Sequence, residues 1–133
     1  MSASTGTTSI IPRVSRVEGR VRVPGDKSVS HRYAMFAAIA DGTSSFEGYA
    51  PGADCAATLA CLEALGVRVE RGPRLTIHGA GLGGLRQSSH ALDAANSGTS
   101  MRLLSGLLAA HPFTTVIGGD ASLSQRPMRR VIE

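Results

Sequence analysis

The spacing of apolar positions changes several times along the chain, and each change marks the boundary of a predicted element. Val17–Val23 alternates valines with mostly charged side chains and ends at a Pro-Gly pair, which predicts a strand followed by a turn. Ser30–Ala40 is instead almost continuously apolar, and Asp41-Gly42 follows it. We therefore expect a helix there that is buried on most of its sides, with Ser28 or Ser30 as its N-cap.

A second helix and a hairpin are predicted in the rest of the first half. Asp54 is a suitable N-cap for a helix that runs to Leu65, and Gly66 occupies the position that commonly ends a helix. One short strand precedes this helix and two strands follow it, at Thr43–Glu47, Val67–Glu70 and Leu75–His78. The predicted order is strand, helix, strand, helix, strand, strand.

The same order begins again after a glycine-rich stretch. A short strand, an apolar helix and another strand are predicted at Ala91–Asp93, Thr99–Ala110 and Phe113–Ile117. An offset of 70 residues places Arg102 on Arg32 and Gly118 on Gly48. We therefore predict an α/β (α+β) fold of repeated βαβαββ units, with about one and a half repeats of one domain in this chain.

The carboxyl end favours an unfinished second unit. Pro127 suits the first position of a helix, and Met128–Glu133 would be less than two turns long. We interpret residues 1–12 as a flexible tail and residues 13–133 as a partial domain, with a first repeat at about 17–80 and an incomplete second repeat at about 90–133. An uncovered sheet would favour self-association or a complementing carboxyl-terminal piece.

Composition argues against several classes of function. The net charge of +4 would suit a nucleic-acid partner, but the 14 basic residues are dispersed and the chain has no Trp, two Tyr and three Phe. Stacking platforms and groove-reading motifs are therefore missing, and we expect no nucleic acid. Cys55 and Cys61 lack CxxC spacing and the four histidines are scattered, so we expect reduced, packed cysteines and no metal.

Hydropathy also bears on where the protein works. No segment approaches the roughly 20 uninterrupted apolar residues of a membrane helix. Met1–Ile11 lacks the apolar run and the positive charge of a secretory signal. We therefore expect a soluble, cytoplasmic protein with no membrane partner.

Three polar clusters stand where helices are expected to begin, and they carry the candidate chemistry. Their sequences are PGDKSVSHR at Pro24–Arg32, NSGTSMR at Asn96–Arg102 and GDASLSQRPM at Gly119–Met128. A helix amino terminus has unpaired N–H groups and about half a positive charge. Cations placed there oppose the helix dipole unless an anion binds, so the clusters favour a receptor for phosphate or carboxylate groups.

In this order and spacing, the clusters resemble the amino-terminal part of the 5-enolpyruvylshikimate-3-phosphate synthase family, over nearly the whole chain from about Arg13. Enolpyruvyl transferases acting on UDP-N-acetylglucosamine match less well, because they carry Lys-Asn in place of Lys27-Ser28. The resemblance implies two domains of three βαβαββ units each, substrates in the cleft, and no cofactor. It implies transfer of the enolpyruvyl group of phosphoenolpyruvate to the 5-hydroxyl of shikimate 3-phosphate, with release of phosphate.

The resemblance also implies which residues bind these two substrates: Lys27, Ser28, Arg32, Asn96, Gly98, Thr99 and Arg126. Lys27 would neutralise both substrates, Ser28 and Arg32 would hold shikimate 3-phosphate, and the other four would hold phosphoenolpyruvate or shape its loop. In the family the general acid and base come from later sequence, beyond Glu133. No catalytic residue is therefore assigned in this chain, and we expect it to be inactive alone.

Three points stay open at this level. Ala95 stands where the family commonly has glycine, and that methyl group could tighten the loop; Gly98 matches the form linked to glyphosate sensitivity. Arg102 could be partly structural and pair with Asp93 or Asp120. The alternative to an enzyme fragment is a non-catalytic anion-binding module that keeps the helix starts and performs no chemistry.

Overall fold

The structure is a computed structural model that describes residues 8–132. Within these residues the elements are, in chain order, α1 (Lys27–Ile39), β1 (Asp41–Phe46), α2 (Ala53–Ala64), β2 (Arg68–Glu70), β3 (Leu75–Ala80), β4 (Leu92–Asp93), α3 (Gly98–Leu108), β5 (Ile117–Gly118), α4 (Ala121–Ser124) and α5 (Arg129–Ile132). This mixture of helices and strands confirms the predicted α/β class. None of these helices is long and apolar enough to cross a membrane.

The strands form two small sheets. In the first sheet β3 lies between β1 and β2 and is antiparallel to both, so the predicted hairpin of β2 and β3 is confirmed. In the second sheet β4 pairs in parallel with β5. Gly79 is required in β3, because a Cβ there would lie 2.1 Å from the carbonyl oxygen of Ala40. The strand can therefore cross directly beside the end of α1.

Helices α1, α2 and α3 pack on one another, and α1 and α2 also pack against the first sheet. Ala34 and Ala38 of α1 are fully buried, and their small side chains let neighbouring backbones approach closely. Leu62, Ile77 and Leu104 come from three different elements and share the same core. Burial of each large aliphatic side chain contributes about 1.5–3 kcal/mol, so this core holds the amino ends of the three helices in place.

The predicted strand at Val17–Val23 is wrong for this structure. Residues 8–26 form no helix or strand, and Val17, Val21 and Val23 are 74–86% exposed. A strand needs a neighbour to pair with its N–H and C=O groups, and no other described segment pairs with this one. The alternating pattern indicates a segment that is compatible with a strand, but it does not supply the partner.

Helix α1 begins at Lys27 because Asp26 is its N-cap; the predicted caps, Ser28 and Ser30, are wrong. The Asp26 carboxylate accepts a hydrogen bond from the backbone N–H of Val29 at 2.7 Å. The buried hydroxyl of Ser30 donates to the Asp26 carbonyl at 2.8 Å and so supports the same turn. The helix therefore starts one turn before its apolar run.

The exposure of α1 also differs from expectation. Tyr33 and Phe36 are 55% and 62% exposed, so the helix is not buried on most of its sides. Its apolar residues exceed what α2, α3 and the first sheet can cover. A nearly continuous apolar run predicts a helix correctly, but it does not say how many neighbours are present.

Two further predictions need correction. Gly52, not Asp54, is the N-cap of α2, and Asp54 lies in the first turn with its carboxylate on Lys27. The strand predicted at Phe113–Ile117 is reduced to two residues, because β4 offers only two partners. Gly66 has a φ of +89°, which confirms its predicted role in ending α2. The repeat limits stay a prediction, and the predicted tail lies largely outside the described residues.

Candidate anion-binding site

The start of α1 presents two cations on an exposed surface. Lys27 pairs with the carboxylate of Asp54 from α2. Arg32 lies one turn further along and donates from Nη1 to the carbonyl oxygen of Ser28 at 3.0 Å. The guanidinium therefore folds back over the first turn of α1, close to the N–H groups that carry the positive end of the dipole.

The start of α3 follows a strained turn. The N–H of Ser97 donates to the carbonyl of Ala94 at 2.8 Å, and Ala95 between them has a φ of +49°. Ala95 is the only non-glycine residue within 8–132 with a positive φ. A positive φ at the first central position is the type II′ pattern, which strongly favours glycine. This geometry gives a physical reason for the glycine expected at this position.

The second and third clusters meet directly. Arg126 donates from Nη2 to the side-chain oxygen of Asn96 at 2.5 Å, and the Asn96 amide donates to Asp120 at 2.7 Å. Asp120 also caps α4 by accepting from the N–H of Leu123 at 2.7 Å. These two hydrogen bonds, the Leu123 bond first, lower the pKa of the Asp120 carboxyl. The carboxylate thus stays ionised and fixes Asn96, which in turn orients Arg126.

Arg102 lies between the second and third clusters. It donates to the carbonyl oxygens of Gly98 at 3.2 Å and Pro127 at 3.1 Å. The predicted pairing with Asp93 or Asp120 is therefore wrong, because backbone carbonyls take the guanidinium. A Cβ on Gly98 would lie 2.5 Å from Arg102 Nη1 and 3.3 Å from Arg126 Nη1. Two guanidinium groups therefore converge over Gly98, and a side chain at this position would displace at least that of Arg102.

Two arginines that lie 70 positions apart in the sequence make matching contacts. Arg32 bonds the carbonyl of Ser28, and Arg102 bonds the carbonyl of Gly98, each four residues back in its own helix. Arg32 and Arg102 also line the same groove between α1 and α3. Two arginines with matching contacts therefore lie side by side near neighbouring helix starts, and the repeat itself stays a prediction.

A chain of buried hydroxyl groups joins the first cluster to the second, and sequence reasoning missed it. Thr58 of α2 lies 2.6 Å from His31 Nδ1 and 2.6 Å from the hydroxyl of Ser100. Ser100 donates to the hydroxyl of Ser97 at 2.7 Å. All four residues are fully buried. Two features of the sequence indicate this contact: a polar residue, Thr58, on an apolar helix face, and two serines, Ser97 and Ser100, in a cluster that was predicted only to bind ligand.

The remaining predicted residues keep open polar groups. Ser28 is exposed and Thr99 is half-buried, and neither side chain makes a hydrogen bond to another described residue.

Within residues 8–132 no group of three His, Cys, Asp or Glu side chains is placed to hold a metal ion. Cys55 and Cys61 are free and buried, as predicted, and burial raises the pKa of both thiols.

The arrangement can bind small anions with several negative charges. Four cations come from the three clusters: Lys27 and Arg32 on α1, Arg102 on α3, and Arg126 just after α4. Three of them bond to carbonyl or amide oxygens, which are neutral acceptors, and the charge of Arg126 also acts on the nearby Asp120 carboxylate. Lys27 alone has a carboxylate partner. The guanidinium groups of Arg32, Arg102 and Arg126 therefore keep N–H donors for phosphate or carboxylate ligands.

The family comparison decides what kind of chain this is. Residues 11–133 match the family model described as EPSP synthase (3-phosphoshikimate 1-carboxyvinyltransferase). The chain belongs to the EPSP synthase family. It is 53% identical over 129 residues to the 3-phosphoshikimate 1-carboxyvinyltransferase of Chloroflexus aurantiacus, covering 96% of this chain and 29% of the relative. The enzyme of the same name from Methylococcus capsulatus is 54% identical over 121 residues, covering 89% and 28%.

Structural comparison agrees with the membership. The EPSP synthase from Acinetobacter baumannii superposes with a TM-score of 0.80 at 54% identity, covering 84% of this chain and 26% of that one. The chain thus spans less than a third of the length of the relatives that it matches. The match includes all three clusters, so this EPSP synthase segment contains every residue of the surface described above.

Proposed function

We propose that this chain supplies one wall of an active site that transfers the enolpyruvyl group of phosphoenolpyruvate to the 5-hydroxyl of shikimate 3-phosphate and releases phosphate. The observation that carries the proposal is the convergence of Arg102 and Arg126 over Gly98. Membership of the EPSP synthase family supports the choice of reaction. Both substrates carry phosphate and carboxylate groups, which match guanidinium donors in charge and geometry.

Arg126, Asn96, Gly98 and Thr99 form the proposed phosphoenolpyruvate subsite. Asn96 occupies one edge of the Arg126 guanidinium, which leaves the other donors for a carboxylate or phosphate. The hydroxyl of Thr99 has no described partner and can donate to the same ligand. The missing side chain at Gly98 lets the ligand approach the amino end of α3.

Lys27, Ser28 and Arg32 form the proposed shikimate 3-phosphate subsite at the start of α1. The ion pair between Lys27 and Asp54 is partly exposed, with 57% and 26% of the two side chains accessible. Such pairs contribute little stability, so an incoming phosphate can compete with Asp54 for the ammonium. The compact ammonium can then neutralise charge on both substrates at once.

The general acid and base are not among the assigned residues. Proton transfer contributes about 10²–10⁴-fold to rate, and positioning within a closed cleft contributes more. We therefore expect the 133-residue chain alone to bind these anions weakly and to release no phosphate at a useful rate. Activity would require the remaining sequence, either continuous with this chain or as a complementing piece, and the working location would be the cytoplasm.

Gly98 also bears on inhibition by glyphosate, a small phosphonate that carries a carboxylate. A methyl group at position 98 would press on Arg102 and Arg126. An anion held by those guanidinium groups would lose its best position. We therefore expect an enzyme assembled with this chain to be inhibited by glyphosate, and the Gly98→Ala variant to be inhibited less.

A chimera tests the proposed reaction. This chain replaces the matching 129 residues of the Chloroflexus aurantiacus relative, and phosphate release is measured with both substrates. Arg126→Lys should lower kcat/KM about 10–100-fold, because one charged bidentate contact is lost. Arg130→Lys is the matched control and should have no effect, since Arg130 is exposed outside the cluster. A folded chimera that releases no phosphate would support the non-catalytic anion-binding module instead.

A further inference from the structure

Four fully buried polar side chains form a hydrogen-bonded series: His31, Thr58, Ser100 and Ser97. It crosses the core from α1 through α2 to the loop before α3, and every member has 0% exposed surface. Buried polar groups cost stability unless they are paired, so an all-apolar contact would be simpler here. The two ends of the series, His31 and Ser97, are sequence neighbours of residues in the two proposed substrate subsites.

The direction of the hydrogen bonds follows from counting protons. A hydroxyl has one proton, and the proton of Ser100 is donated to Ser97 at 2.7 Å. Thr58 and Ser100 also lie 3.4 Å from the carbonyl oxygen of Asp54, but the contact of 2.6 Å between the two hydroxyls is far shorter and takes the proton of Thr58. The short contact of 2.6 Å between Thr58 and His31 Nδ1 must consequently be donated by Nδ1. The three hydrogen bonds are therefore donated in the same direction, from His31 through Thr58 and Ser100 to Ser97.

This accounting fixes the state of the imidazole. With the proton on Nδ1, Nε2 of neutral His31 carries only a lone pair. Nε2 is buried and has no hydrogen-bond partner among residues 8–132. Burial, followed by the charge of Lys27, lowers the pKa of His31, which keeps the ring neutral. The His31 end of the series therefore has a buried acceptor without a hydrogen-bond partner among the described residues.

The other end of the chain holds the phosphoenolpyruvate loop. Ser97 is the N-cap of α3 and accepts from the N–H of Ser100 at 3.1 Å. It stands between Asn96 and Gly98, which belong to the proposed subsite. His31 stands next to Arg32 in the other subsite. Thr58 is the central link, because it alone bonds to both sides.

We propose that Thr58 is a positioning residue, which through His31 and Ser100 holds the start of α1 and the start of α3 in the one arrangement that lets both subsites bind the same ligand pair. This inference rests on the proposed function of the two subsites. Thr58 touches no ligand; it acts through the backbone of the two helix starts. Removal of its hydroxyl should therefore weaken anion binding without removing any ligand contact.

The test compares Thr58→Val with Thr115→Val in the ¹⁵N-labelled chain. Both substitutions replace a hydroxyl with a methyl group of similar size. The hydroxyl of Thr115 is buried without a hydrogen-bond partner among the described residues, so its loss breaks no bond. Inorganic phosphate is the probe, and the amide signal of Gly98 reports its binding. Ring nitrogen signals report which nitrogen of His31 carries the proton.

We expect His31 to carry its proton on Nδ1 in the wild-type chain and in Thr115→Val. Thr58→Val should weaken phosphate binding about threefold or more, which is within the range of coupling between contacting residues. Thr58→Ser keeps the hydroxyl and should restore the affinity. A proton on Nε2 in the wild type, or a folded Thr58→Val with unchanged affinity, would overturn the proposal.

Two arms keep the result decisive. If Thr58→Val does not fold, Ser100→Ala removes the next hydroxyl of the series instead. This variant should keep the proton on Nδ1 of His31 and still weaken phosphate binding. Unchanged affinity for phosphate would overturn the proposal. If the wild type binds no phosphate, the anion site of the proposed function fails. The amide signals of Gly98 and Thr99 without ligand then test whether Thr58 positions the start of α3. Thr58→Val should shift these signals and Thr115→Val should not. Equal shifts in the two variants would overturn the positioning role of Thr58.

Discussion

Ala95 offers the sharpest quantitative prediction, because its backbone conformation conflicts with its side chain. An L-residue with a methyl group in a left-handed conformation costs about 1–2 kcal/mol, and Ala95 has a φ of +49°. Ala95→Gly removes that cost but adds about 0.4–1 kcal/mol of unfolded-state entropy. We therefore expect a net gain of about 0.5–1 kcal/mol in unfolding free energy, or about 2–4 °C in Tm.

The hydrogen bonds of Ala95 should survive the change. Its N–H donates to Asp93 at 2.8 Å and its carbonyl accepts from the N–H of Asp120 at 2.9 Å, and both groups belong to the backbone of Ala95. The gain in stability should therefore appear without loss of the contact between the second and third clusters. This separates relief of strain from any rearrangement of the loop.

The assay is urea unfolding followed by far-ultraviolet circular dichroism, since the chain has no Trp to report by fluorescence. A reducing agent keeps the two cysteines free. Ala91→Gly is the matched control, because Ala91 is exposed and its φ is not positive. The control should lose about 0.4–1 kcal/mol. Equal losses in the two variants would refute the argument from backbone strain.

Two other predictions concern the start of α1. Asp26→Ala removes the N-cap and should lower the unfolding free energy by about 0.5–2 kcal/mol; an unchanged urea midpoint would contradict the cap. Burial lowers the pKa of His31 below 6.5, so the unfolded chain binds more protons just below that pH, and stability should fall as pH falls through this window. His31→Asn should remove this part of the slope in urea unfolding measured from pH 7.5 to 5.5, whereas an identical slope in the variant would rule out His31 as its source.

Local patterns predicted the elements whose causes are local. The apolar run after Ser30, the hairpin residues before Leu75 and the glycine at position 66 each specify a conformation through neighbours in sequence. The positions of α1, α2, α3 and the hairpin followed from these signals. The N-caps were harder to assign, because Asp26, Ser28 and Ser30 are all good capping residues and only tertiary contact decides among them.

Features that depend on partners could not be derived from local patterns. Val17–Val23 has the alternation of a strand, but pairing depends on a second segment that the pattern does not specify. The exposed faces of Tyr33 and Phe36 have the same cause, since apolarity does not reveal what covers a helix. The strand at Ile117–Gly118 is short because β4 is short, which no residue near Phe113 indicates.

The charged residues of the candidate site were predicted from the sequence, but the residues that orient them were not. Lys27, Arg32 and Arg126 were identifiable because cations at helix starts oppose the dipole and so need another explanation. The partners that orient them were not identifiable. Asn96 takes its position from Asp120, and Ser97 takes its position from Thr58 through Ser100. The contact of Asn96 with Asp120 joins residues 24 positions apart, and the contact of Thr58 with Ser100 joins residues 42 positions apart.

The central claim is that three clusters from separate parts of the chain form one anion-binding site. Titration of the ¹⁵N-labelled chain with phosphoenolpyruvate tests it most directly, with the backbone amides of Val29, Gly98 and Arg126 as reporters. One site predicts that the Gly98 and Arg126 signals follow a single binding curve with one Kd, and that the Val29 signal follows the same curve because nearby Lys27 faces both substrates. Three separate curves, or a Gly98 signal that does not move at saturating phosphoenolpyruvate, would contradict the claim.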